Sequence, residues 1–256
     1  MFDNLFAEPT LLGFGPIFPP TAMKVSLIGL TGVPLGKHKV KDARLDQADK
    51  LIEAKKKTYA LGDVVGEAEA LTSDAIVVSP ESRLDLILRD LEFAETRLGR
   101  HPPEAERVVL EKIKTCLESE NVITAAGLTP AEAQSVGAHA FFTMKPIVVA
   151  EAPDVQQFDE FLVRVLGESG YISFLTVGGA ENRAWLIRKG ATAPEAGGAI
   201  HTDIHQGFIR AEIIGFADFI AAGGETQAKR ANKLRLETKQ YVMQDCDLTN
   251  FRFNKQ

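Results

Sequence analysis

Gly36-Lys37 stands behind an apolar run, Lys24–Leu30, and a loop that reads Thr31-Gly-Val-Pro-Leu-Gly36. A strand, a glycine-rich loop and a lysine are the parts of a phosphate cradle, written G-x-x-x-x-G-K-[ST]. Its glycines let backbone N–H groups converge on phosphate oxygens. Its lysine reaches the outer phosphates, and its hydroxyl holds Mg²⁺. Here the first position is Thr31, unless Gly32 serves from a loop one residue shorter. The last is His38, which cannot replace a hydroxyl on the metal. The alternative is a tight strand–helix turn that holds no ligand.

Asp63-Val-Val-Gly66 fits D-x-x-G, the second phosphate-proximal pattern of GTPase-type folds, although so short a pattern also arises by chance. Only 26 positions separate Lys37 from Asp63, short for a helix, a switch loop and an extra strand. The base-reading N-K-x-D is absent; where it would stand, the chain reads Glu151-Ala-Pro-Asp154. The candidate cofactor contacts are therefore Gly32, Gly36, Lys37, Asp63 and Gly66.

Two other groups could do chemistry. His201-x-Asp203-x-His205 has metal-like spacing, but no metal site is assigned to it. Arg188-Lys189, Arg210 and Lys229-Arg230-x-x-Lys233-x-Arg235 could meet RNA phosphates, or could simply solvate a surface. Trp185, the only tryptophan, is placed in a strand core rather than on a base-stacking platform. No Ser-His-Asp or Cys-His arrangement has local support, so no catalytic residue is named.

The elements that must position these groups follow from periodicity. Short apolar runs at Lys24–Leu30, Ala75–Val78 and Lys145–Ala150 read as buried parallel strands. Residues 42–57 read as a helix. A second helix is expected from Ser79-Pro80, with Leu84, Ile87, Leu88, Leu91 and Leu98 on one stripe. His101-Pro-Pro103 stops it, and a third follows with Val108, Val109, Ile113, Cys116 and Leu117 inward, giving an αα-hairpin over about 80–120. Thr129-Pro-Ala-Glu132 is a capping box, and 154–168 a further helix. Beyond Gly170 the pattern changes: strands at Ile172–Val177, Arg183–Arg188, Ile209–Ile214 and Leu248–Phe253, with helical pieces near 194–200 and 216–222. Strand, strand, helix, strand is the order of a β-grasp unit.

The chain has 256 residues, 45% hydrophobic and 25% charged, which excludes disordered and collagen-like classes. No run of about 18 apolar residues exists to cross a membrane. Cys116 and Cys246 form no disulfide framework, and the first 22 residues lack a basic n-region, so a cytoplasmic setting is expected. Those 22 residues are an apolar, Pro-rich arm ahead of Met23, which reads as a natural start. Either the arm is irregular or an upstream start, or it packs through Phe14, Ile17 and Phe18. Net charge is −6, yet residues 171–256 carry 11 basic and 9 acidic residues against 18 and 26 before them. The C-terminal third is the half to meet an anionic partner.

Longer stretches resemble one family. Ala184-Trp-Leu-Ile-Arg-Lys-Gly-Ala-Thr-Ala-Pro194, Ile200-His-Thr-Asp203, Gly207-Phe-Ile-Arg-Ala-Glu212 and Lys239-Gln-Tyr-Val-Met-Gln-Asp-Cys-Asp247 resemble the TGS-type domain of the YchF-type, Obg-related P-loop NTPases. Asp42-Ala-Arg-Leu-Asp46, Lys55-Lys-Lys-Thr-Tyr59, Leu86-Ile-Leu-Arg-Asp-Leu91, Glu95-Thr-Arg-Leu98 and Lys145-Pro-Ile-Val-Val149 resemble its N-terminal half. The likeness spans nearly all of Met23–Asn254. It departs where nucleotide chemistry lives: the phosphate loop, a largely deleted switch region, a shortened helical hairpin, and Glu151 in place of the Asn of N-x-x-E.

The resemblance implies an α/β fold: a reduced P-loop-like parallel sheet with an αα-hairpin insertion, plus a C-terminal β-grasp, TGS-like domain. It implies an arm over 1–22, a degenerate NTPase-like domain over 23–168 and the TGS-like domain over 171–254. Family members are ribosome-associated and hydrolyse nucleotide, favouring ATP; hydrolysis does not carry across, because its residues do not match. The expected function is a non-hydrolysing partner of the ribosome, RNA or a translation factor, through Arg188, Lys189, His201 and Arg210, with neither DNA nor membrane as partner. The alternative is a nucleotide switch or weak NTPase with ATP or GTP and Mg²⁺. A small-ligand sensor is a third, with nothing to specify its ligand.

Overall fold

A computed structural model describes residues 22–153 and 157–254. The expected arm lies outside them except for Ala22, and so do the first three residues of the helix expected over 154–168. The fold is α/β, as expected, and the contacts divide it into two compact units. Within the described residues, one holds Ser26–Gly32 and Gly66–Ala152. The other holds 22–25, Val33–Val65 and the chain from Pro153 onward.

In the first unit, the last residues of β1 (Ala22–Ile28) neighbour β5 (Ala75–Val78), and β5 pairs in parallel with β6 (Ile147–Val149). Every side chain of β5 is buried, which is why its run is apolar throughout rather than alternating. Ile28, Ile76, Val78 and Leu86 close the core over this sheet. Beside it α2 (Arg83–Leu98) and α3 (Glu104–Glu118) form the expected αα-hairpin, followed by α4 (Pro130–Val136). Thr129 caps α4 as expected: Glu132 N donates to Thr129 Oγ1 at 3.2 Å, and Thr129 N donates to Glu132 Oε2 at 2.6 Å.

Two helix expectations in this unit are corrected. α2 begins at Arg83, not at Ser79-Pro80, because Ser79 N still bonds Ile28 O at 3.0 Å and belongs to the end of the ladder. Its inward face is Leu86, Ile87, Asp90 and Ala94, so Leu84 and Leu88 of the expected stripe are exposed. On α3, Val108 is exposed, while Val109, Leu110, Ile113 and Leu117 face in. Asp90 is the unexpected member of a buried face. Its carboxylate accepts from Phe142 N at 2.9 Å, Thr143 N at 2.7 Å and Thr143 Oγ1 at 2.7 Å, tying the segment before β6 to α2.

In the second unit β2 (Gly36–Val40) pairs antiparallel with β4 (Ala60–Val65), which neighbours β1. The helix expected over 42–57 is shorter: α1 spans Ala43–Leu51, and β3 (Lys56–Thr58) follows. The reason is tertiary. Asn182 Nδ2 donates to Ile52 O at 2.6 Å and Asp49 Oδ1 at 2.7 Å, and β3 pairs in parallel with β8 (Glu181–Arg188). A six-stranded sheet runs β10-β9-β11-β7-β8-β3. Its members are β7 (Tyr171–Thr176), β9 (Phe208–Ile214), β10 (Arg235–Glu237) and β11 (Leu248–Phe253), with β8 and β3. The β7–β8 hairpin and the parallel β7–β11 pair give the β-grasp order.

α6 (Ala193–Ile200) and α7 (Thr202–Gln206) cover one face of that sheet over Phe174, Ile187, Ala211, Ile213 and Phe251. α5 (Phe158–Glu168), α8 (Phe216–Ala222) and α9 (Glu225–Arg230) complete the unit.

Candidate functional site

The chain leaves β1 through Gly29, whose φ is +72°. A methyl group there would stand 2.2 Å from Ser82 Oγ and 2.5 Å from Ser79 Oγ, so the loop lies hard against the turn that leads into α2. Only glycine fits that approach. Gly29 escaped the sequence reading, although its place directly behind the apolar strand was a signal for it.

No helix begins between Ile28 and Gly36. Gly36, Lys37 and His38 are instead the first residues of β2, an edge strand. A strand directs successive N–H groups alternately to either side, whereas a phosphate cradle needs them converging at a helix N-terminus. Lys37 is exposed and lies directly opposite Asp63 on β4, so two of the candidate cofactor residues are cross-strand neighbours of opposite charge. Lys37, Lys39 and Lys41 are all exposed at alternate positions, the pattern that keeps an edge strand from pairing with other chains. His38 Nε2 donates to Pro34 O at 3.0 Å, and its ring meets Phe158 edge-on at 4.9 Å. Gly66 lies in the first unit; its carbonyl accepts from Ser26 Oγ at 3.0 Å and it opens the turn Glu67–Thr72. Gly32 and Gly36 have positive φ and open space where a methyl group would be.

The C-terminal candidates sit on the β-grasp sheet and its loops. Arg188 lies with its guanidinium 4.1 Å over the Tyr171 ring, on the strand opposite. Lys189 is exposed just beyond β8. His201 caps α7: its Nδ1 accepts from Asp203 N at 3.1 Å, a structural use for the first residue of the metal-like triplet. Arg210 lies on β9 directly opposite Arg252 on β11. Arg188 and Arg210 share the sheet face away from α6, but β7 and β11 separate their strands. Trp185 is half-buried and packs against the core cluster from β8 rather than inside it. It stacks near Phe174, carries the Arg183 guanidinium at 3.8 Å, and donates from Nε1 to Thr176 Oγ1.

Arg252 was not singled out from sequence; its signal was the alternation Phe251-Arg252-Phe253. It donates to Glu212, as does Asn250 Nδ2 at 3.1 Å. Burial pushes the Glu212 carboxyl up, but these bonds outweigh it and hold the group below its ordinary value.

Comparison with known proteins adds four findings. The family model described as YchF-GTPase_C, protein of unknown function (DUF933), matches residues 171–254. The ribosome-binding ATPase YchF of Haemophilus influenzae is 30% identical over 306 residues, covering 92% of this chain and 82% of the relative. That of Escherichia coli O157:H7 is 31% identical over 273 residues, covering 78% and 74%. Each alignment is longer than this 256-residue chain, so the chain lacks segments that the relatives have. The structure of the Schizosaccharomyces pombe YchF GTPase superposes with a TM-score of 0.74 at 18% identity, over 91% of this chain and 98% of that one, and shares its fold.

Proposed function

Because this chain belongs to the YchF family, we propose that it is a translation-associated binding protein of the cytoplasm that contacts the ribosome, RNA or a translation factor through its TGS-like C-terminal region and does not hydrolyse nucleotide. One observation carries the proposal: Lys37 stands in an antiparallel strand opposite Asp63, not at a helix N-terminus behind a phosphate loop. ATP or GTP with Mg²⁺ does not fit these residues. The converging N–H groups are missing, the lysine faces a carboxylate across the ladder, and His38 supplies no hydroxyl for the metal. The relatives' name, ribosome-binding ATPase, supports the partner half of the proposal.

The chemistry left to this chain is recognition. Lys189, in the turn just beyond β8, and Arg210, on β9, are exposed cations of the β-grasp unit, suited to phosphate oxygens. Co-sedimentation with ribosomes tests this. The chain is expected to pellet with them, and Lys189→Glu with Arg188→Gln is expected to weaken the association about tenfold and flatten its salt dependence. A chain that stays in the supernatant at low salt would contradict the proposal.

A second reading, a nucleotide switch or weak NTPase, rests on Gly32 and Gly36. Both have positive φ with open space beside them, room in which a loop could receive an anion.

A further inference from the structure

We infer that Arg210 and Arg252, opposite each other on β9 and β11, form a docking site for the phosphodiester backbone of RNA. The inference deepens the recognition reading above and rests on it.

The starting point is a pair that should not be there for stability alone. Directly opposed residues of an antiparallel pair share one face, with Cα atoms about 4.5–5.5 Å apart, and like charges at such positions repel. Arg210 and Arg252 occupy such a position, and both are exposed. One carboxylate lies beside them, and of the two arginines it serves only Arg252. Glu212, two residues along β9 on the same face and buried, accepts from Arg252 and from Asn250, its own cross-strand partner. The Arg210 guanidinium donates to the carbonyl of Ile209 at 3.2 Å, and no carboxylate pairs with it among the described residues. Lys229 on α9 adds a third cation. It is paired with Glu225 at 2.5 Å, yet close enough for Glu212 and Arg252 to act on its charge.

Two guanidinium forks one strand spacing apart match phosphate oxygens, which accept them in parallel pairs. A bound phosphate between the forks turns their repulsion into a shared attraction. Lys229 extends the positive charge beyond a single anion's reach, toward successive phosphates of a strand. Leu236, opposite Glu212 on β10 and exposed, adds an apolar shelf on the same face for a ribose or base. A string of phosphates joined by partly apolar sugars fits that combination better than an isolated anion.

The test is fluorescence anisotropy of a labelled single-stranded RNA of about 12 nucleotides titrated with the full chain across a KCl series. Arg210→Gln and Arg252→Gln are compared with the native chain. Each variant is expected to weaken binding about tenfold, and to lower the slope of log K against log salt by about one. Arg210→Gln is the decisive variant, because relieving the repulsion should leave its thermal midpoint equal or higher, so its lost affinity cannot be lost folding. Unchanged affinity and slope in Arg210→Gln would overturn the inference. So would polyglutamate or AMP competing as well as RNA, which would make the site a protein or mononucleotide contact. A chain that pellets with ribosomes but binds this RNA equally with or without Arg210 refutes the site and leaves the proposed function standing. A chain that does neither refutes both.

Discussion

Asp90→Ala is expected to destabilise the first unit by about 3–4 kcal/mol, because it removes a buried acceptor of three hydrogen bonds and leaves two backbone N–H groups unmet. The donors are Phe142 N, Thr143 N and Thr143 Oγ1. Asp90 is 1% exposed and lies on the buried face of α2 with Ile87 and Ala94, so its three donors are shielded from bulk water. Urea denaturation followed by circular dichroism checks the magnitude; a loss under about 1 kcal/mol would contradict it. A pH dependence follows. Burial pushes the Asp90 carboxyl above its ordinary range, against the opposing pull of the bonds from Thr143 and Phe142. The folded state therefore holds that proton more tightly than the unfolded chain. The resulting stabilisation is fully present below the unfolded value and is lost as pH rises through the folded one. The stability gap between the native chain and Asp90→Ala should be wider at acid pH than at neutral pH.

Gly207→Ala is the second large effect, expected to cost about 2–3 kcal/mol by overpacking in the β-grasp unit. Gly207 has φ −89° and ψ 8°, which alanine tolerates, so the cost is steric alone. The added methyl group would stand 2.0 Å from the carbonyl oxygen of Asn254 and 3.0 Å from that of Asp203. Both are backbone atoms and cannot swing aside. The end of β11 would have to move, breaking the bond from Asn254 N to Gly207 O and straining the Phe208–Phe253 pairing. Thermal denaturation should show the loss, and amide exchange at Phe251 and Phe253 should quicken. A variant within about 0.5 kcal/mol of the native chain would show that the strand end accommodates the group freely.

Much of this fold was legible because local signals agreed with tertiary ones. The apolar runs Ala75–Val78 and Lys145–Ala150 became β5 and β6, and Thr129-x-x-Glu132 capped α4. The strands beyond Gly170 fell within a residue or two of their expected places. The misses arose where a partner decided the outcome. Lys56–Thr58 looks like the tail of a charged helix, and becomes a strand because β8 offers an edge and Asn182 stops α1 at Ile52. Asp90 reads as a surface charge until Thr143 and Phe142 meet it. Lys37 was drawn toward phosphate chemistry by Gly36 beside it, while the alternation Lys37, Lys39, Lys41 carried the period of the edge strand that forms. The partner face was half legible: Arg210 stood out as a charge, but its significance depends on Arg252, which only the β9–β11 register reveals.

The central claim is that the phosphate loop of this YchF-family chain no longer serves nucleotide. Calorimetric titration with ATP and with GTP, each with Mg²⁺, on the native chain and on Lys37→Ala tests it most directly. The account predicts no saturable heat up to millimolar nucleotide from either chain. Micromolar binding by the native chain, lost in Lys37→Ala, would contradict it: Lys37 would then be reaching phosphate from β2.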